Sequence, residues 1–335
     1  MIDVELLRQE ALTDMIQDFK PANLLLKSSG LLPVQSGAGN SFSWDILKQD
    51  RDIDTFEGDL SPAGQRKLHV IGNRSAKLMH TFKSVFVPGF TLMDLRNPGT
   101  TSRQRIAEDT VGRELLALSQ LLDRQDEFMI ARALQGSLTV KIDGLDHTID
   151  YGFSSSHKPT VGAGIPLAWS DSAADLVTDI QEFKRLIAED SGYQATDVWC
   201  STETIQKLIK NDFVQSYFAS TPQGVEALTR GVIGQFMGLT WHAYDGTYKD
   251  SAGNLQRFIP VNKVLVCPGP DMEWGFWREG SDVIPTDDKR NIQEVVGKYA
   301  YATINENPAS IALYVGHRRL PIVRKPDALV LATIG

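Results

Sequence analysis

The sequence predicts an α+β protein in which a compact α/β body carries long elements too thinly apolar to fold on their own contacts. Three observations predict this class. A helix runs from Ser102 to Gln135, about 50 Å at 1.5 Å per residue and about three times the usual helix length. Residues 43–83 read largely as strand, yet they are sorted by charge rather than by hydrophobicity. Between residues 167 and 304, helices of ordinary length alternate with short apolar strands, as in an α/β core.

Residues 1–40 read as an arm. Val4, Leu7, Ala11, Met15 and Phe19 recur at helical spacing, and ANLLLKSSGLLPVQSGAGN after them is Gly/Ser-rich and reads as extended. This start has neither the basic opening nor the apolar block of a signal peptide. Residues 41–87 follow as a long hairpin. FSWDI and LMHTFKSVFV have strand composition, and SPAG at 61–64 holds the turn chemistry. The first half, Asp45–Asp59, carries six acidic and two basic residues; Leu60–Lys83 carries five Lys or Arg and no acid.

The long helix is capped at Thr101 or Ser102, and Glu108 and Asp109 sit in its early turns. Val111, Leu115, Leu118, Leu122, Met129 and Ala133 form its apolar stripe, and Gly136 stops it. Arg103, Arg113, Glu114, Arg124 and Glu127 are expected on a solvated or interfacial face. A hairpin over 137–153 is predicted by its Asp-Gly turn and alternating Val140, Ile142, Ile149 and Tyr151. Residues 154–166 read as a loop. A helix is predicted over DSAADLVTDIQEFKRLIAED, with Leu176, Ile180, Phe183 and Ile187 inward. ATDVWCS is a buried strand, Ser201 caps the helix that follows, and helical segments continue to Phe236. GLTWHAYD, NKVLVCPG, MEWGFW and KYAYATIN read as strands, and residues 308–335 as strands broken by prolines.

Composition bounds function by exclusion. The chain has 335 residues, 42% hydrophobic and 23% charged, with net charge −8. That acidity argues against wrapping nucleic acid. No apolar run approaches the ~20 residues that cross a bilayer. Cys200 and Cys267 end apolar runs and read as buried hydrophobes of a reducing compartment. The six histidines, His69, His80, His147, His157, His242 and His317, are scattered without an i, i+4 pair. There is no GxSxG elbow, HExxH, CxxC or P-loop. Asp50, Asp52 and Asp54 have the spacing of a calcium loop, but Thr55 and Ser61 stand where that loop needs Gly and Glu. Trp274, Phe276 and Trp277 read as core or interface packing. The basic run His317, Arg318, Arg319, with Arg324 and Lys325, reads as an intersubunit ion-pair patch. Neither a catalytic centre nor a cofactor or metal is expected. Elements that cannot bury themselves are stabilised by a neighbour, which points to a shell-forming protein.

The order of elements resembles the major capsid (head) proteins of tailed double-stranded DNA phages, most closely the lambda-type major head protein family. The resemblance rests on LLLKSSGLLPV, the extended stretch Ser43–Lys83, FKSVFVPGFTLMDLRNPG, RELLALSQLLDRQDEFMIARALQG with VKIDGLDHTIDYGF after it, and RRLPIVRKPDALVLATI. It implies an N-terminal arm (1–40), an extended loop (41–87), a peripheral domain (88–160 and 305–335) with a spine helix (102–135), and an axial domain (161–304). It implies pentamers and hexamers that tile an icosahedral head around double-stranded DNA, assembled in the bacterial cytoplasm without a membrane. A separate scaffolding protein, a portal and a decoration protein are the expected further partners, with non-covalent stabilisation of the shell. Asp50, Arg51, Asp52, Asp54, Glu57, Arg66, Lys67, Arg74, Arg318 and Arg319 are the expected intersubunit charges. The rival readings are a nanocompartment shell of the same fold, recognisable by a cargo enzyme, and a soluble enzyme or binding protein.

Overall fold

The computed structural model describes residues 7–19, 24–47, 70–88, 103–142, 144–220, 234–250, 252–286, 291–306 and 309–335. The chain divides into two compact units: residues 1–42, 76–129 and 276–321, and residues 43–75, 130–275 and 322–335.

The long helix spans Arg103–Leu134. Val111, Leu115, Leu122, Met129 and Ala133 are buried, so the predicted stripe is the packed face, although Leu118 is only partly covered. Gly136 follows at φ 91°, in the left-handed region where a side chain is costly, and a Cβ there would crowd Phe153 and Lys158 at 3.1 Å. The boundary between the units falls within this helix, after Met129.

In the first unit, a five-stranded sheet is ordered Val34–Ser36, Gly275–Glu279, Ala309–Val323, Tyr299–Glu306, with Met79–Pro88 also paired to Ala309–Val323. The antiparallel register sets Ile311 against Val87 and Leu313 against Val85. Period-two alternation therefore sends these four to one face. There they meet Val111, Leu115 and Leu122 of the long helix and Leu12 and Ile16 of the helix Gln9–Asp18. The Thr13 hydroxyl ties that helix down by donating to the Ala300 carbonyl at 3.0 Å. Pro326 breaks the strands as expected, opening the 3-10 turn Pro326–Ala328 between Ala309–Val323 and Val330–Thr333, whereas Pro321 is carried within the 15-residue strand. A hairpin, Ser281–Pro285 with Ile292–Val296, was not predicted from the sequence.

The second unit is built on a seven-stranded sheet ordered Gln235–Phe236, Leu239–Ala243, Asp197–Cys200, Lys263–Cys267, Val330–Thr333, Thr160–Val161, Gly164–Ile165. Its core joins Val198, Val264, Val266 and Val330 to Ile180, Phe183 and Ile187 of the helix Leu176–Ser191. That helix begins five residues later than the first residue of the predicted segment. Asp175 caps it, accepting from the Thr178 N–H at 3.1 Å, so 171–174 stay outside. Ser201 caps Thr202–Ile209 as expected, and Asn211 caps Asp212–Ala219. Gln235–Phe236 is a strand, where a helix is expected. Cys200 and Cys267 are free and buried, and burial pushes both thiols up, Cys200 to about 12. Thr160–Val161 and Gly164–Ile165 add two short strands within the expected loop. The hairpin Ser137–Ile142 with Leu145–Asp150 forms as predicted, and Ser41–Leu47 pairs with Val70–Lys77; LMHTFKSVFV, expected within the long hairpin, pairs instead with Ala309–Val323.

Candidate assembly surface and its buried charge cluster

In the first unit, the arm is fastened to the long helix by charge. Leu25–Ser28 forms a single helical turn whose first N–H groups lack intrahelical partners. The Leu26 and Lys27 N–H groups donate instead to the two oxygens of Glu127, at 2.8 and 2.9 Å. The Lys27 ammonium reaches Asp123 at 3.0 Å and Asp126 at 2.5 Å. Lys298 binds the same Asp123 carboxylate. On its other side, Asp126 accepts from Arg319 Nε at 2.5 Å, and Arg319 Nη1 donates to the His317 carbonyl at 2.9 Å. The His317 ring lies 3.3 Å from Glu279 and 3.9 Å from Asp126.

Burial opposes charge on Asp126, but the charges of Arg319, then Lys27, outweigh it and hold the carboxyl well below the usual carboxylate range. Burial likewise works against Lys27, and Asp126 and Asp123 overcome it, so the ammonium is held above its ordinary value. His317 goes the other way. Burial, then the Arg319 charge, push its ring down to about 4, so it is neutral at pH 7. The cluster is four carboxylates, three cations and one neutral imidazole. Removing one member strands a buried charge at a cost of about 3–5 kcal/mol, so the cluster fixes a geometry more than it adds stability.

The geometry it fixes is that of an edge. Leu26, Leu31 and Leu32 are buried beside the cluster, and the chain then forms Val34–Ser36, the terminal strand of the five-stranded sheet, parallel to Trp277–Glu279. All three of its residues are exposed, Val34 at 59%. A terminal strand offers unpaired backbone groups to another chain. The face of the sheet opposite its core is aromatic. His80, Phe82, Tyr314 and Tyr301 stack in sequence, with centroids 5.9, 5.5 and 4.9 Å apart. Phe82 is 43% and Phe86 59% exposed, unusual for phenylalanine on a sheet.

Asp50, Arg51, Asp52, Asp54, Glu57, Arg66 and Lys67 lie outside the described residues, as does the calcium-like spacing of Asp50, Asp52 and Asp54. Arg74 is half-buried on the strand Val70–Lys77. Arg318 is partly covered, with Nη2 3.3 Å from Asp282. Arg319 departs from the expected surface patch: it is 0% exposed and bound to Asp126 inside the unit. Successive strand residues point to opposite faces, so Arg318 and Arg319 cannot share a surface. Glu127, expected on a solvated face, is also fully buried on the arm's backbone. Sequence reading missed Lys27, Asp123, Asp126, Glu279 and Lys298. A signal was present, because Asp126 occupies a stripe position of the long helix, four residues after Leu122 and three before Met129.

The family model for phage major capsid protein E matches residues 8–334. The chain belongs to that family. It is a phage major capsid protein, a structural component of the capsid, and a structural, non-enzymatic role follows. Solved structures share the fold. A prophage capsid protein from E. coli CFT073 is 13% identical, with 98% of this chain and 99% of that one covered at TM-score 0.64. A phage-related protein from Bordetella bronchiseptica RB50 is 13% identical, over 98% and 97%, at TM-score 0.56. The capsid of cyanophage P-SCSP1u is 12% identical, over 94% and 89%, at TM-score 0.54. Among curated proteins, none matches. These likenesses agree with the α+β capsid fold expected from the order of elements.

Proposed function

We propose that this capsid protein self-assembles as pentamers and hexamers into an icosahedral phage head enclosing double-stranded DNA. Family membership over residues 8–334 carries the reading. The exposed edge strand and the aromatic sheet face support it, because each is an unfinished surface of the kind a neighbouring copy completes. The arm (1–40), extended loop (41–87), peripheral parts (88–160 and 305–335) and axial part (161–304) are the division of labour we assign within the shell. A separate scaffolding protein, a portal and a decoration protein complete the assembly. Net charge −8 fits a wall that encloses DNA without gripping it.

Sedimentation velocity and electron microscopy of the purified protein, alone and co-expressed with a candidate scaffolding protein, test the proposal. Hexamers or closed particles of megadalton mass are expected, and virions should yield DNA protected from nuclease. A discrete monomer or dimer under every condition overturns it.

A further inference from the structure

Arg74 sits at the base of the extended hairpin, in the second unit, beside a cavity of about 300 Å³. The neighbouring Asn73 also borders the cavity and is satisfied by donating to Asp45 Oδ1 at 2.9 Å. Arg74, one position on, lines it beside Ile46. Gly152 makes the room. It stands at φ 77°, held by its N–H to Asp150 Oδ1 at 2.9 Å, and a Cβ on it would lie 2.7 Å from Arg74 Nη2. The guanidinium thus occupies a place kept open by a missing side chain. Among the described residues it has no ion-pair partner, although other exposed or half-exposed arginines such as Arg185 and Arg257 are each paired with two acids. Ser154 and Asp327 also line the cavity.

We infer that this cavity receives a single carboxylate from the acidic segment Asp50–Asp59 of a second copy of the chain. A guanidinium fork presents paired donors that match a carboxylate. Asp327 in the same cavity disfavours a multiply charged anion such as phosphate, because a second full negative charge would face it without compensation. The occupant is argued from charge. Residues 50–59 hold five acids and one base, and the residues beside the pocket in sequence, 60–83, hold five bases and no acid. The inference rests on the shell proposed above and deepens it, naming the group that enters this pocket.

Complementation between two variants tests it. Arg74→Glu, and separately the triple change Asp50→Lys, Asp52→Lys, Asp54→Lys, should each give a soluble protein with native circular dichroism that forms no closed shells. Mixed in equal amounts, the two should assemble further than either alone, because a pocket finds an opposite charge wherever its neighbour is the other variant. Arg74→Gln, which introduces no repulsion, should lower shell yield at least tenfold. Shells of wild-type yield from Arg74→Glu or Arg74→Gln overturn the assignment. So does a mixture that stays unassembled while all four changes in one chain restore shells, since that places the pairing within a copy. Wild-type protein that never assembles overturns the shell proposal itself, and this pairing with it.

Discussion

At the scale of the residue, the arm's position depends on a few buried charges. Arg319 and Asp126 are both fully buried, and each leaves the other uncompensated when removed. Arg319→Met should therefore destabilise the protein by about 3–5 kcal/mol, read as a lower urea midpoint, and adding Asp126→Asn should recover part of the loss. His317 gives a pH dependence whose sign is set by its depressed value. Its folded value of about 4 lies below the ordinary 6.5, so the unfolded chain binds the proton first as pH falls. Its contribution is present above pH 6.5 and is lost on the way down to about 4, about 3 kcal/mol in all at 1.36 kcal/mol per tenfold. Asp126 and Glu279, both held below their ordinary values, face the same ring and add a further loss at still lower pH; Lys27, held above its ordinary value, keeps its charge throughout. Unfolding midpoints measured from pH 7 to 4 should fall, and His317→Gln should flatten the fall above pH 4. A variant with the wild-type slope would place the titrating group elsewhere.

At the scale of the element, the long helix separates what the sequence displays from what it hides. Its length, stripe and stop were legible because they are local: 3.6-residue periodicity and one glycine at positive φ state them. The roles of Asp126 and Glu127 were not, because their partners, Arg319 and the backbone of Leu26 and Lys27, are distant in sequence. Likewise the strand alternation that separates Arg318 from Arg319 was readable, but a basic pair invites one collective reading. The late start of Leu176–Ser191 is a third case, in which the cap Asp175 outweighed the four residues before it. The stripe supports a graded prediction. Leu115 is fully buried, so Leu115→Asp should abolish soluble expression, as an unpaired carboxylate in an apolar core is not tolerated. Leu118 is partly exposed and lets a carboxylate reach water, so Leu118→Asp should fold with a midpoint lowered by only ~1–3 kcal/mol. Equal damage at both positions, measured by solubility and urea unfolding, would show that the face is misassigned.

At the scale of the whole molecule, folding and assembly draw on different parts of the chain. Residues 48–69 lie outside the described residues. The strands that flank this segment, Ser41–Leu47 and Val70–Lys77, form only a two-stranded pair, which is marginal by itself in water. Replacing residues 50–69 by a short Gly-Ser linker removes five acids and three bases. Such a variant should fold with a thermal midpoint within a few degrees of wild type and sediment as protomers or small oligomers, without closed particles. The charge pairing proposed across copies predicts a salt-sensitive shell, because the screening length contracts from about 10 Å at 0.1 M to about 3 Å at 1 M. Shells should accordingly lose subunits faster at 1 M salt, while the unfolding midpoint of isolated protomers, in which the Asp126–Arg319 pair is fully buried, moves little. Normal shells from the shortened variant would transfer the assembly role to the surfaces that remain, the edge strand Val34–Ser36 and the exposed face of Phe82 and Phe86. Substituting Phe86→Ser would then be the change that lowers shell yield.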